Sequence, residues 1–317
     1  MIHHFLINPA AGKGKRVDAL QQQITHVCVA RGVDYRIHVT TRPGDATDYV
    51  RAAVASTDER QRFYACGGDG TLCETVNGAP LCETAEFAVI PIGTGNDFEK
   101  NFTAPESFFD IEAQLNGTPV RLDLIRYNDR YALNMLNVGF DCNVAKTTGE
   151  IKRSPLVPSG LAYVAGVAIH FCKPFGTHMH LTLADGTEID DSLMLTAIAG
   201  GCYYGGGFKA APRASLLDGL LDICIVKKLS RAKFVGLIGS YKKGTHLALK
   251  KAKEYIRYYQ TPSASLRFDS PINICVDGEI EVTDRVDISL LQRALTFSIP
   301  KGAALIAQQE KEAAVIS

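Results

Sequence analysis

Three times before residue 100 the chain runs from a short apolar segment through a glycine-bearing turn into helical spacing: HHFLIN into NPAAGKGK, RFYAC into GGDGT, FAVI into PIGTGNDF. A strand that empties into a turn and a helix is half of a βαβ unit, so the repeat predicts a parallel sheet flanked by helices. Between the turns lie a polar amphipathic segment over 15–31, the strand VDYRIHVT and a helix after Gly44, and a further helix is predicted from Thr71. Sheets of this kind bind ligands outside the carboxyl ends of their strands, which is where all three turns fall.

After about Leu124 the rhythm changes to strands in quick succession: YALNMLNVGF, HMHLTLAD, SLMLTAIAGG, LDICIVKKL, ASLRFD, INICVDGEI, RVDISLL and LTFSIP. His178, His180 and Thr182 alternate with Met179, Leu181 and Leu183, the pattern of a half-buried antiparallel strand. The predicted organisation is an α/β domain over 1–124 and a mostly-β sandwich over 125–295, the latter with helical interruptions near 161–171 and 233–249. A C-terminal strand and tail over 296–317 can pack back on the first domain.

A chain of 317 residues has room for both cores, and 34 Lys and Arg balance 34 Asp and Glu, so no global field would draw it to nucleic acid. Its nine cysteines form no CxxC pair and its N-terminus is too short in apolar residues for a signal peptide, so reduced thiols and a cytoplasmic location are expected. No apolar run approaches the ~20 residues that span a bilayer, which leaves peripheral contact as the only membrane association expected. A homodimer stays open.

Each turn has a chemistry. The segment Asn8-Pro9-Ala10-Ala11-Gly12-Lys13-Gly14-Lys15-Arg16 offers backbone amides, a helix start and cations to phosphate, yet it is neither a Walker A loop nor GxGxxG, and an ordinary turn into a basic helix also fits. In Gly67-Gly68-Asp69-Gly70-Thr71-Leu72-Cys73 the glycines admit a ligand to the backbone, while Asp69 can orient Mg²⁺ or cap the helix. Gly93-Thr94-Gly95-Asn96-Asp97-Phe98 sets a hydroxyl and a carboxylate on a third turn, or is a capped turn with Asn96 or Asp97 at the N-cap.

NPAAGKGK, GGDGTLCETVNG and PIGTGNDF, in this order and spacing, resemble the catalytic domain of the diacylglycerol and sphingosine kinase family of soluble bacterial lipid kinases. GGDGT alone is shared with NAD kinases and phosphofructokinases, and GTGNDF is what separates them. The likeness continues through LNVGFDCNV, GGGFKAAPRASLLDGLLDICIV and VDGEI, nearly the whole chain. It implies ATP- and Mg²⁺-dependent phosphorylation of a membrane lipid alcohol such as diacylglycerol, with the nucleotide between an α/β domain and a β-sandwich. It also implies nucleotide contacts at Thr40, at Gly67, Gly68, Asp69, Gly70, Thr71, Leu72 and Cys73, and at Thr94 and Asn96. Asn8 and Lys13 would lie at the phosphate end, and Asp69, Asp97 and Asp123 in the metal and water network. Glu279 matches the proton acceptor, and a further divalent ion would be held by Asp218 with the carbonyls of Ser215 and Leu220. On spacing alone, Asp277-Gly278-Glu279 is equally a hairpin turn with a solvated Glu, and Asp218-Gly219-Leu220 a plain loop. An alanine at Asp69 is expected to abolish turnover at little cost in stability, since the residue would serve the ligand.

Two features stand apart from the turns. Ten Lys and Arg residues between Lys227 and Arg257 face one acid, Glu254, and are interleaved with Phe234, Leu237, Ile238, Tyr241, Tyr255, Tyr258 and Tyr259, so docking on anionic lipid headgroups is expected beside the plainer reading of a solvated face. His178 and His180, two apart on a strand, share a face and could chelate a transition metal. With no third ligand evident in the sequence, exposed strand histidines are the expectation.

Overall fold

The structure, a computed structural model, describes residues 1–14, 17–152, 165–166, 169–171 and 176–306, without the side chains of Lys13 and Lys152. The chain forms two compact units: Met1–Leu124 with Leu216–Asp218 and the chain from Leu291 onward, and Ile125–Ser215 with Gly219–Leu290.

The first unit is built from β1 (Ile2–Ile7), α1 (Val17–Arg31), β2 (Tyr35–Val39), α2 (Asp45–Ser56), β3 (Gln61–Gly67), α3 (Asp69–Asn77), β4 (Ala85–Pro91) and the single-turn α4 (Ile111–Leu115). Strands β2, β1, β3 and β4 lie side by side and parallel in that order. Because β1 has β2 on one side and β3 on the other, the chain reverses its direction of travel across the sheet there, and the carboxyl ends of β1 and β3 flank the crevice that such a reversal opens. Leu20, Ile24 and Cys28 recur every fourth residue of α1 and are buried against Phe5, Ile7, Tyr64 and Ile90. At the opposite, amino ends of the strands the buried Arg62 donates to Glu86 Oε2 at 2.8 Å and to the backbone oxygens of Gln114, Leu115 and Gly117, which ties the chain after α4 to the sheet.

The second unit is antiparallel throughout. After β5 (Thr118–Tyr127), which enters it at Ile125, come β6 (Arg130–Ala132), β7 (Met135–Gly139), α5 (Phe140–Lys152), β8 (Thr177–Leu183), β9 (Glu188–Ala199), β10 (Leu221–Lys227), α6 (Arg231–Lys243), β11 (Ile256–Thr261), β12 (Ser263–Val276) and β13 (Glu279–Ile299), whose last residues belong to the first unit. β7 and β8 are set end to end between the long strands β9 and β12. One face of these strands buries Leu136, Leu181, Ile198, Ile223, Leu266 and Ile274 together. Phe234, Leu237 and Tyr241 of α6 are buried in a second core with Leu195, Ala197 and Cys224.

The fold class agrees with expectation, and several elements do not. ASLRFD and INICV are one strand, β12, with a register shift between Arg267 and Ile272 at Pro271, a residue that cannot donate to a ladder. RVDISLL and LTFSIP are likewise both parts of β13. YALNMLNVGF is broken into β6 and β7, α5 follows directly where no helix was expected, and β5 and β11 are additional strands. Most of the helix expected over 161–171 falls outside the described residues. No helix among the described residues is long and apolar enough to cross a membrane.

Candidate functional site

Strand register brings the three glycine turns together in the first unit. Ile7 stands opposite Cys66, and the next residue, Asn8, donates its backbone N–H to Cys66 O at 3.0 Å. On the other side of β3, Pro91 stands opposite Gly67, and the Gly93 N–H donates to Gly67 O at 3.1 Å. Buried Thr40, just past the end of β2, joins the same edge by donating its N–H to Ile7 O at 2.9 Å.

Side chains then lock the turns to one another. Asn8 Nδ2 donates to Thr71 Oγ1 at 3.0 Å, and its Oδ1 accepts from the Ala10 N–H at 2.9 Å, so one residue couples the first turn to the start of α3. A Cβ at Gly67 would stand 2.2 Å from Thr71 Oγ1, and one at Gly93 2.5 Å from the Gly68 Cα. The Thr71 side chain packs on the Gly67 backbone and the Gly68 backbone on that of Gly93, close approaches that only glycine permits. The first N–H groups of α3 have no partner within the helix and open at this edge, a disposition suited to an anion.

Asp69 is the first residue of α3, and its Oδ1 accepts from the backbone N–H of Asp97 at 2.8 Å and of Phe98 at 3.0 Å. Two amides on one oxygen fix the carboxylate and leave Oδ2 facing Gly95, where a Cβ would lie 3.2 Å from Asp69 Oδ2 and 3.8 Å from Asp97 Oδ2. Lys100 Nζ donates to Asp97 Oδ1 at 2.7 Å and to the backbone oxygens of Gly95 and Asn96 at 2.5 and 3.0 Å. Burial holds the Asp69 carboxyl above the usual carboxylate range, against the opposing pull of its two amides. Glu99 is pushed up to about 8, chiefly by burial, with Lys100 pulling the other way and Asp69 and Asp97 adding to the rise. Its buried Oε2 lacks a hydrogen-bond partner. Asp69 Oδ2 and Asp97 Oδ2 thus lie on the same side of the third turn, both close to Gly95, and carboxylate oxygens are the donor type that a hard divalent cation such as Mg²⁺ takes.

The other expected residues take varied places. The Leu72 and Cys73 side chains are buried in the core, so a ligand contact there falls to backbone, and the Leu72 N–H is already given to Gly68 O at 3.1 Å. Gly70 lies in the first turn of α3, and Thr94 is exposed at the tip of the third turn. Asn96 builds that turn: at φ 49° its Nδ2 donates to the Pro91 and Gly93 oxygens at 2.9 and 3.1 Å. The side chain of Lys13, with Lys15 and Arg16, lies outside the described residues. Asp123 is buried on β5, where its Oδ1 accepts from the Arg293 N–H and its own N–H donates to Leu216 O, both at 2.8 Å. Asp218 ends the short segment so anchored and is half-buried, as is Leu220, whereas Ser215 is buried.

In the second unit Glu279 is exposed at the first position of β13, directly after a turn with Asp277 at φ 45° and Gly278 at φ 95°. The buried Asp277 carboxylate accepts from the N–H groups of Leu133, Asn134 and Met135 at 2.7, 3.0 and 2.9 Å, pinning that turn to the start of β7. Asp277, Lys100 and Glu99 are contributors that reading the motifs passed over. In sequence Asp277 shows only as a turn residue and Lys100 only as a cation three residues after Asp97.

Residues 3–127 match the family described as "Diacylglycerol kinase catalytic domain", and residues 134–298 match "YegS C-terminal NAD kinase beta sandwich-like domain". The chain is 28% identical over 307 residues to a Chromohalobacter salexigens protein named "Probable lipid kinase YegS-like", covering 94% of each. It is 29% identical to a Bacillus subtilis protein named "Diacylglycerol kinase", over 86% of this chain and 88% of that one. A Pseudomonas savastanoi relative with the YegS-like name is 30% identical over 78% of each chain. Among solved structures, a diacylglycerol kinase from Bacillus anthracis matches with a TM-score of 0.69 over 94% of this chain and 97% of that chain, at 24% identity, a likeness of fold.

Proposed function

Because the chain belongs to the diacylglycerol kinase-like family of lipid kinases, we propose that it transfers the γ-phosphate of ATP to the hydroxyl of diacylglycerol, giving phosphatidic acid. The observation behind the reading is the Asp69 carboxylate, held by the Asp97 and Phe98 amides where the glycine turns meet the open end of α3. Phosphoryl transfer needs little covalent work from a protein: it needs alignment, charge neutralisation and exclusion of water. The glycine turns admit phosphate oxygens to the backbone, and Lys100 holds Asp97 in place. Asp69 and Asp97 are the residues that would hold Mg²⁺, which when bound would offset the negative charge of the transferring group. Asp123 would join this network, and Asp218 with the Ser215 and Leu220 carbonyls would hold a further divalent ion. Glu279 accepts the hydroxyl proton as its oxygen bonds to phosphorus and the bond to the ADP oxygen breaks.

The acceptor is tested with radiolabelled ATP and a mixed panel of lipid alcohols, the products separated by thin-layer chromatography. Label in phosphatidic acid is expected. Label in phosphorylated phosphatidylglycerol or in a sphingoid base phosphate would transfer the reading to that acceptor, and ATP bound without turnover would make the chain a nucleotide-binding regulator.

The substrate reaches the enzyme from a membrane, and the basic segment is the docking surface in this proposal. Its geometry divides the work expected of it: Phe234, Leu237 and Tyr241 face the core, while Lys242, Lys243, Lys250 and Lys251 are exposed, as are Val235 and Leu249. The aromatic residues therefore build α6 into the fold and the cations do the docking, each contributing about 1 kcal/mol near an anionic surface. Charge reversal of those four lysines is expected to weaken sedimentation with anionic vesicles, and wild-type binding to fall as salt rises. Equal binding by both proteins would remove the segment from the membrane contact.

A further inference from the structure

The fold supplies what the sequence withheld from His178 and His180. Both point from the exposed face of β8, and β8 lies between β9 and β12, each of which sends a carboxylate to the pair. Asp190, opposite His180 on β9, places Oδ1 3.0 Å from His178 Nε2 and 3.2 Å from His180 Nδ1. Ligand atoms from these three residues lie within 4.8 Å of one another. In a tetrahedral Zn²⁺ site with bonds of about 2.0 Å the ligand atoms stand about 3.3 Å apart, so the two short separations are already edges of such a site.

Asp269 on β12 occupies a different place. Its Oδ2 is 3.1 Å from His178 Nδ1 and its Oδ1 3.7 Å from His180 Nε2, in each case the ring nitrogen that faces away from Asp190. A carboxylate behind a metal-binding imidazole fixes the ring and its tautomer and strengthens the nitrogen in front. Asp269 takes that role for His178, whereas at 3.7 Å its contact with His180 is an ion-pair distance and not a hydrogen bond. Arg267 stands opposite His180 on β12.

We propose that His178 Nε2, His180 Nδ1 and Asp190 Oδ1 form a surface site for a divalent transition metal of the Zn²⁺ type, oriented by Asp269. Two imidazoles and one carboxylate suit Zn²⁺ and exclude Mg²⁺ as the preferred occupant, because imidazole is a poor ligand for a hard cation. A tetrahedral ion keeps its fourth position for water. Bound, it joins β8 to β9 and clamps the second unit from outside, in residues the phosphoryl-transfer reading does not use.

The test uses full-length, tag-free chain stripped of metal. Calorimetric titration with Zn²⁺ is expected to show one ion per chain that is lost, or weakened at least tenfold, in His178→Ala/His180→Ala. The side chains are 42% and 45% exposed, so folding is not at stake. Asp269→Asn is expected to retain the site with affinity lowered about 10–100-fold. Co²⁺ in place of Zn²⁺ should give the visible absorption of a tetrahedral site in the wild type and not in the double variant, and excess Mg²⁺ should not compete. Zn²⁺ should raise the wild-type melting temperature and leave the double variant unmoved. Failure of the wild type to bind Zn²⁺, or equal binding by the double variant, would overturn the proposal and leave these groups as histidine–aspartate ion pairs.

Discussion

Asp69→Asn is expected to lower kcat for lipid phosphorylation by about 10²-fold or more while the protein melts at or above the wild-type temperature. The two halves of this expectation have separate causes. Asn retains an oxygen for the Asp97 and Phe98 amides, so the turn keeps its shape, but it removes the charge offered at Oδ2. Burial raises the Asp69 carboxyl in the folded state, so its ionised form costs stability as pH rises beyond the unfolded-state value, and the neutral amide escapes that cost. Alanine is the poorer probe, contrary to the expectation from sequence. It strips two buried N–H groups of their acceptor at roughly 1–3 kcal/mol each, so an inactive Asp69→Ala protein could simply be a loosened one. Kinase assay and thermal unfolding of both variants separate chemistry from folding, and near wild-type turnover of Asp69→Asn would take Asp69 out of the site.

The glycine turns were legible in the sequence because their constraint is local. Gly67 must lack a Cβ on account of Thr71, four residues away, and a strand before and a helix after are written in the same few residues. What stayed hidden depends on partners remote in sequence. Asp123 interrupts an apolar run and disguises β5, because its acceptor oxygen is met by Arg293, 170 residues on. Asp277 reads as a turn residue, yet it anchors its turn through amides at least 142 residues away. Gly149 and the β-branched Val144, Thr147 and Thr148 give α5 weak intrinsic propensity, so packing in the second unit decides its conformation. The histidine pair was visible in period-2 alternation, whereas Asp190 and Asp269 come from strands whose register the alternation does not fix.

Glu279→Gln is expected to lower kcat by ~10² or more while ATP affinity stays within a few-fold and the melting temperature does not move. Exposure is what makes the last clause strong. Gln keeps the size of the side chain and removes only the basic oxygen, and the turn that presents it is held by Asp277 and not by Glu279 itself. Asp277→Ala provides the contrast: with three amides left without their acceptor, the turn shifts and both stability and kcat fall. Glu281 is a sharper comparison, being two residues further along β13. It accepts from Tyr127 Oη at 2.9 Å and pairs with Arg130, so Glu281→Gln is expected to cost a few tenths to about 1 kcal/mol of stability and leave kcat within a few-fold. A loss of rate without a loss of stability at 279, beside a loss of stability without a loss of rate at 281, is the pattern expected of a proton acceptor at 279. If Glu279→Gln transfers phosphate at the wild-type rate, the hydroxyl proton leaves by another group, and the DGE turn is the solvated hairpin that its spacing alone allows.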